Sequence, residues 1–249
     1  MWLPCQVFIC VKMKDKHHSE ILSLIQKNAK QATKHTYLDN YLGTTHPRYP
    51  IKIPLLRIVA KDWMREHPEL TAITFSTLLT SLIKGESSTE KCMAGILLDY
   101  STKAQRQFSI KLFDAWLDEL EGWAEIDSLC TSKYTTTEIV NQWESWEPLL
   151  KKFSTSKNIN KRRASIVLLC SPLRNHTHKQ LAECALGNIE QLKSYNDILI
   201  TKAISWVLRN MIKHHRETVK NYIKENADSL PDIALRETRM KLKTGRKNG

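Results

Sequence analysis

A tryptophan and an aspartate four residues apart form the first candidate for chemistry in this sequence. Trp123 and Asp127 occur in the segment Gly122–Cys130, and their spacing places both side chains on one face of a helix. A carboxylate beside an indole is a candidate for catalysis. Such a pair is commonly structural, because Asp caps helices and Trp fills hydrophobic cores. The spacing of the two residues alone does not distinguish a catalytic role from a structural one.

The segment 198–212 predicts a helix with two different faces. Its apolar stripe, which is expected to face the core, consists of Ile200, Ala203, Ile204, Val207, Leu208 and Met211. Another face carries Trp206 among the cations Lys202, Arg209 and Lys213. Such a face can stack on a sugar or base and attract a phosphate backbone. Alternatively, Trp206 packs against a neighbouring helix and the cations form its solvated rim.

Three consecutive cations, Lys161, Arg162 and Arg163, begin another predicted helix. Positive charge opposes the helix dipole at an N-terminus, where anions are favoured. A bound phosphate would restore the balance. The alternative is a solvated run of charges, and one of the two arginines is expected to face solvent in either case.

The charge of the chain is unevenly distributed. The formal net charge is +12. Residues 1–155 contain 19 Lys and Arg against 18 Asp and Glu, whereas residues 156–249 contain 19 against 8. Nearly all of the surplus therefore lies in the last third, which indicates a polyanionic partner such as nucleic acid or an acidic membrane surface.

The sequence lacks the motifs of several enzyme classes. It contains no P-loop, no GxGxxG, no GxSxG and no HExxH, so we expect neither a nucleotide cofactor nor a catalytic metal. The six cysteines have no CxxC spacing and are expected to be buried free thiols. The adjacent histidines His17 and His18 point in different directions on a helix and carry little weight as metal ligands.

Helical spacing of apolar residues dominates the chain. Residues 1–12 are apolar but too short to span a bilayer. They lack the features of a signal peptide, and we treat them as an extension to a single domain of residues 13–249. The loop 41–54 contains three prolines. The predicted helices are 19–34, 55–66, 70–84, one that follows a capping sequence at 87–90, 103–120, 123–130, 136–152, 161–170, 179–192, 198–212, 217–226 and 233–243.

These helices are predicted to form an α-solenoid. Consecutive short-looped pairs of roughly 35–45 residues are typical of HEAT or armadillo repeats, whose concave face binds extended partners. We therefore predict an all-α fold of about six HEAT-like helix pairs with a concave basic groove. A plain helical bundle is the alternative.

Five segments in order resemble the DNA alkylation repair enzymes, the HEAT-like alkylpurine DNA glycosylases of the AlkD group. The early loop matches at Tyr41, Pro47, Ile51 and Pro54, and further matches are Trp123-x-x-x-Asp127, Arg162-Arg163-Ala-Ser-Ile-Val, Lys202-Ala-Ile-Ser-Trp206-Val-Leu-Arg209 and Ala234-Leu-Arg-Glu237. Together they cover about residues 20–245.

The resemblance implies a monofunctional, cofactor-free glycosylase that removes cationic N3- or N7-alkylated purines from double-stranded DNA in base excision repair, without base flipping. It implies a catalytic cleft formed by Asp127, Trp123, Trp206 and Arg163. Asp127 would stabilise the sugar cation and position water, and Arg163 would hold a neighbouring phosphate. The residues expected to contact the duplex are Tyr41, Lys161, Arg162, Lys202, Arg209 and Lys213.

The expected protein is a monomer of bacterial or archaeal type, cytoplasmic and associated with the nucleoid, without a membrane partner. Two other functions fit the same sequence. One is a nonenzymatic HEAT-repeat protein that binds DNA structures, since a fold alone does not establish catalysis. The other is a HEAT-type scaffold for proteins whose basic surface is incidental.

Overall fold

The computed structural model describes residues 15–30 and 43–247, and these residues form helices without any strand. The proposed extension 1–12 and Tyr41 lie outside them. The helices are α1 (Lys16–Asn28), α2 (Ile53–Glu66), α3 (Ala72–Ile83), α4 (Ser88–Tyr100), α5 (Leu112–Trp116), α6 (Gly122–Cys130), α7 (Lys133–Asn141), α8 (Trp143–Ser154), α9 (Ile159–Asn175), α10 (Lys179–Leu192), α11 (Ile198–Met211), α12 (Arg216–Glu225) and α13 (Asp232–Thr244). The all-α prediction is confirmed.

Several helices begin where a capping side chain satisfies free backbone N–H groups. Ser87 and Glu90 form the predicted capping box at α4, with each side chain bonded to the backbone of the other. Asn158 caps α9 and Asp197 caps α11, each through its side-chain oxygen. Two of the helices that carry candidate site residues therefore have starting points fixed by local sequence.

The helices stack in the manner of an α-solenoid. One row runs through α2, α4, α6, α9, α11 and α13, and each of these helices packs on the next. The helices α1, α3, α7, α8, α10 and α12 pack along this row, with α8 and α10 both against α9. Nearest-neighbour stacking of this kind is typical of HEAT-like repeats. The row contains α6, α9 and α11, which carry the candidate catalytic residues.

Four predicted helices are wrong in extent. The helix predicted as 161–170 continues to Asn175, and the one predicted as 19–34 is helical only over Lys16–Asn28 among the described residues. The segment predicted as 103–120 is helical only at α5. Gln105 is buried in a local turn, in which the Thr102 backbone N–H donates to Gln105 Oε1 and the Gln105 backbone N–H donates to Thr102 Oγ1. The segment predicted as 136–152 is two helices, since the backbone turns at Gln142 with φ −123° and ψ 39°. In addition, the loop predicted to reach residue 54 ends earlier, because Pro54 lies in the first turn of α2, where proline is tolerated.

The core is continuous along the stack and consists of apolar side chains from nearly every described helix. Its central element is α9, in which every residue from Arg163 to Cys170 is buried. Four described cysteines, Cys92, Cys130, Cys170 and Cys184, are free and buried, which confirms the prediction for them. Among the described helices, none is both long and apolar enough to cross a membrane.

Candidate functional site

Asp127 and Arg163 form a bidentate ion pair between α6 and α9. Arg163 donates from Nε to Oδ1 at 3.0 Å and from Nη2 to Oδ2 at 2.8 Å. Its Nη1 donates to the backbone carbonyl of Leu199 in α11. Only 5% of the Arg163 side chain and 16% of the Asp127 side chain are exposed. One guanidinium therefore links three helices of the stack and fixes the orientation of the carboxylate.

Burial dominates the electrostatics of Asp127. Desolvation raises the pKa of this carboxyl above its ordinary value, and the charge and hydrogen bonds of Arg163 only partly offset the rise. The surrounding thiols of Cys130 and Cys170 have pKa values raised by burial and are further from ionisation. Of these three acids, the carboxyl of Asp127 is the one whose ionised form is paired with a facing cation, the guanidinium of Arg163.

Both candidate tryptophans line one cleft. This cleft has a volume of about 620 Å³, and its walls include Trp123 from α6, Arg163 from α9, and Lys202 and Trp206 from α11. Both indoles are partly exposed. Asp127 does not line the cleft itself but lies next to it, through its contact with Arg163. The structure therefore brings Trp123, Trp206, Asp127 and Arg163 together.

A second acid, Glu237 of α13, also lines the cleft. Ser205 donates to its Oε2 at 2.5 Å, Arg209 Nη2 lies 3.4 Å from the same oxygen, and Lys247 Nζ lies 3.2 Å from Oε1. Burial alone would raise the pKa of Glu237, but the bond from Ser205 and the two cations hold it below its ordinary value. Glu237 was matched only as part of a terminal segment in the sequence, and its place in the cleft was not predicted.

The cations at the start of α9 have partners inside the molecule. Lys161 Nζ lies 2.7 Å from one carboxylate oxygen of Asp114 and 2.7 Å from one of Asp118. The Arg162 guanidinium lies 4.4 Å from the centre of the Tyr195 ring. Arg163 turns to Asp127 instead of outward, because the carboxylate compensates its buried charge. The three adjacent residues thus serve different contacts and do not form one patch.

Exposure differs among the cations predicted on α11 and after it. Lys202 lines the cleft with an exposed side chain, and Lys213 is exposed beyond the end of the helix. Arg209 has 17% of its side chain exposed and pairs with Glu237. Lys202 and Lys213 are therefore the cations of this set that present most charge to solvent.

The buried Glu125, which the sequence analysis did not identify as a site residue, connects the early loop to α6 through hydrogen bonds. Glu125 is fully buried and accepts hydrogen bonds from Thr44 Oγ1 at 2.8 Å and from the Glu121 backbone N–H at 2.8 Å. His46 Nδ1 lies 3.1 Å from the same carboxylate. These contacts hold Gly43, which lines the cleft, against the N-terminus of the helix that carries Trp123. The sequence offered only an acidic segment and a proline-rich loop as signals.

The fold and site define a helical repeat protein with a cleft that combines two indoles and a buried ion pair. The sequence model of the DNA alkylation repair enzymes matches residues 13–242, and the chain belongs to this family. Its structure is similar to a "Predicted DNA alkylation repair enzyme from Enterococcus faecalis", with a TM-score of 0.70 and 19% identity over 87% of this chain and 99% of that chain. At this identity the likeness shows the fold alone. The search of curated proteins gave no match.

Proposed function

We propose that the protein is a monofunctional DNA glycosylase that removes cationic N3- or N7-alkylated purines from duplex DNA, without flipping the damaged base. The observation that carries this proposal is the Asp127–Arg163 pair beside a cleft lined by Trp123 and Trp206. The family supports alkylation repair, and the chemistry of the site supports cleavage of a glycosidic bond.

The proposed substrate has a leaving group that departs without protonation by a general acid. Alkylation at N3 or N7 gives a purine a positive charge. When its glycosidic bond breaks, the electron pair goes to the base, which leaves neutral. Water then bonds to C1′ of the sugar and loses a proton, so the products are the free base, an abasic site and H⁺. The work left to the protein is stabilisation of a sugar that acquires oxocarbenium character.

Asp127 supplies the negative charge for that step. A pair of unit charges about 4 Å apart is worth roughly 4 kcal/mol at an effective dielectric of about 20, or about a thousandfold in rate. The cation of Arg163 offsets part of this gain, so the figure is an upper one. Each Asp127 oxygen retains acceptor capacity beyond its bond to Arg163, which allows it to orient the attacking water.

Trp123 and Trp206 supply the walls that hold the sugar. The face of an indole is the negative end of its quadrupole and attracts a cation. Two such faces in one cleft favour the developing charge on deoxyribose over the neutral ground state. Because the protein acts on the sugar and not on the base edges, a deep pocket for an extruded base is not required, and bulky cationic adducts are tolerated.

Arg163 acts in this proposal as a positioning residue. Its three bonds to Asp127 and to the Leu199 carbonyl orient the carboxylate and favour its ionised form. This role replaces the phosphate contact expected from sequence, because those bonds commit the guanidinium to the interior. Phosphate binding is assigned to Lys202 and Lys213, with Arg209, Lys161, Arg162 and Tyr41 as further candidates.

We expect the protein to act as a monomer and to work at the nucleoid in the cytoplasm of a bacterial or archaeal cell, since genomic DNA is the proposed substrate.

Release of free base tests the proposal directly. The purified full chain is incubated with methylated duplex DNA, and released 7-methylguanine and 3-methyladenine are separated chromatographically. Abasic sites are counted by strand cleavage with heat and alkali. We expect release of methylated purines in step with abasic sites. DNA binding without release would favour the nonenzymatic binder, and absence of both would favour the protein scaffold.

A further inference from the structure

Two histidines and a glutamate meet at the contact between α1 and α2. His17 and Glu20 are three residues apart in the first turns of α1, and His67 is the residue that ends α2. One nitrogen of each histidine and one oxygen of Glu20 all lie within 4.8 Å of one another. The side chains are half-buried, with exposed fractions of 23% for His17, 36% for Glu20 and 20% for His67.

The two distances from Glu20 to the histidines are close to the ligand separation of a tetrahedral metal ion. Glu20 Oε2 lies 3.3 Å from His17 Nδ1 and 3.5 Å from His67 Nε2. Zinc binds nitrogen and oxygen ligands at about 2.0–2.1 Å, so the edge of its tetrahedron is about 3.3 Å. An octahedral ion with bonds of about 2.1 Å would place neighbouring ligands about 3.0 Å apart. The observed separations match the tetrahedron better.

The hydrogen bonding of His67 leaves a ligand atom facing Glu20. His67 Nδ1 lies 2.8 Å from the backbone carbonyl of Trp63, and a carbonyl only accepts, so Nδ1 carries the hydrogen. In the neutral ring, Nε2 then presents a lone pair to the carboxylate. Two acceptors that face each other are stabilised by a cation between them, either a proton, as in a His–Glu ion pair, or a metal ion. A backbone carbonyl that fixes the tautomer in this way is the usual outer partner of a metal-binding histidine.

Neighbouring rings hold the two imidazoles in place. Trp63 stacks on His67 with ring centres 4.0 Å apart and planes 17° apart. The ring of His17 meets both Trp63 and His67 edge to face at 5.6 and 5.4 Å. An arrangement in which both histidines are oriented before binding lowers the entropic cost of placing a metal.

We propose that His17, Glu20 and His67 form a zinc site that joins the first turn of α1 to the end of α2. The three protein ligands leave a fourth position for water. None of these residues lines the cleft of Trp123 and Trp206. The site therefore serves the attachment of α1 and is independent of the proposed glycosylase chemistry.

Zinc binding to the full chain tests this inference. Metal-free protein is titrated with zinc chloride in a calorimeter, and the melting temperature is measured with and without zinc. The variants are Glu20→Gln, which keeps the shape of the half-buried side chain, and His67→Ala. The control is His178→Ala, which removes an exposed histidine outside the cluster.

We expect the wild type and His178→Ala to bind one zinc ion with the same affinity. Glu20→Gln and His67→Ala should bind zinc at least about tenfold more weakly. Zinc should raise the melting temperature of the first two proteins only. Cobalt(II) should give the visible absorption of a four-coordinate ion in the wild type and not in Glu20→Gln. Equal zinc affinity in the wild type and Glu20→Gln would overturn the site, as would a wild type that binds no zinc.

Discussion

The guanidinium of Arg163 and the carboxylate of Asp127, 36 residues apart in sequence, are joined by two hydrogen bonds of 3.0 and 2.8 Å. The pair spans α6 and α9 of the row described above, and a third bond reaches the Leu199 carbonyl of α11. The position of the charge thus depends on the stacking of α6, α9 and α11. A change in either residue therefore affects both the proposed chemistry and the packing of the site.

Replacement of Asp127 by Asn should reduce base release by up to about a thousandfold, the rate equivalent of roughly 4 kcal/mol. The amide is nearly the same size but carries no charge with which to stabilise the sugar cation. DNA binding should change little, because Asp127 is mostly buried. Single-turnover release of 7-methylguanine measures the rate, and fluorescence anisotropy measures binding.

The matched control is Asp62→Asn, which removes a carboxylate from an exposed pair with Arg65 on α2. This variant should release base at the wild-type rate. Since Asp127→Asn leaves Arg163 without its anion, circular dichroism and the melting temperature of each variant establish that the assay reports folded protein. Wild-type release by folded Asp127→Asn would contradict the assignment of this residue.

Replacement of Arg163 by Ala should shift the pH dependence of base release. Burial already raises the pKa of Asp127, and Arg163 is the group that opposes the rise. Without it, the carboxyl retains its proton to a higher pH. Because the ionised form is the active one in the proposal, the acid limb of kcat/KM should move towards neutral pH. The same variant should lose roughly 3–5 kcal/mol of stability, as when one partner of a buried pair is removed.

The variant Arg163→Lys distinguishes the effect of positive charge at this position from the effect of the two parallel hydrogen bonds to Asp127. Lysine keeps the positive charge but cannot form the two parallel bonds to a carboxylate. Its acid limb should lie between those of the wild type and Arg163→Ala. An acid limb that is identical in all three proteins would show that Arg163 does not act through the ionisation of Asp127.

The sequence predicted the helical class and most helix starts because these depend on local information. Apolar spacing and caps such as Ser87 with Glu90 act within one or two turns. The prediction failed at 103–120, where burial of Gln105 and its bonds to Thr102 replace a helical turn. Such a turn depends on tertiary packing, which the spacing of apolar residues does not reveal.

The candidate site could be predicted as a set of residues but not as a set of contacts. Trp123, Asp127 and Trp206 were identified from spacing and resemblance, and the structure places the two tryptophans in one cleft. The partner of Arg163 could not be found, because the two residues of this pair meet only through the stacking of helices. The proposed zinc ligands could not be found for the same reason. His67 follows another helix and meets His17 and Glu20 only through packing, so the sequence showed only the adjacent pair His17 and His18.

Replacement of both Lys202 and Lys213 by Gln should weaken DNA binding and flatten its dependence on salt. Each phosphate contact contributes about −0.9 to the slope of log K against log salt for duplex DNA. Loss of two contacts should therefore reduce the slope by roughly two. Anisotropy titrations from low to physiological salt give the slopes for the variant and the wild type.

A matched pair of lysines, Lys179 and Lys220, controls for net charge. Both are exposed, and neither lines the cleft. Lys179→Gln with Lys220→Gln lowers the charge equally but should leave the slope close to that of the wild type. Equal slopes for the two double variants would show that the face of α11 does not lie in the DNA interface.

Gly95 should tolerate no side chain, because α4 and α6 approach each other at this residue. A Cβ on Gly95 would lie 2.4 Å from the backbone carbonyl atoms of Ser128 in the helix that carries Trp123 and Asp127. Ser128 Oγ also donates to the Cys92 carbonyl at 2.8 Å, which holds the two helices together. Backbone cannot move aside as a flexible side chain can, so Gly95→Ala should displace α6.

Gly187 provides the opposite case on α10, where an added Cβ would meet nothing within 4 Å. Gly187→Ala should stabilise the protein by about 0.5–1 kcal/mol through the better helix propensity of alanine. Gly95→Ala should cost at least about 1–3 kcal/mol, as overpacked cores do, and should slow base release because the displacement reaches Asp127. Urea unfolding and single-turnover assays of both variants make the comparison. If Gly95→Ala matched Gly187→Ala in stability, the close approach of α4 and α6 would not exist in solution.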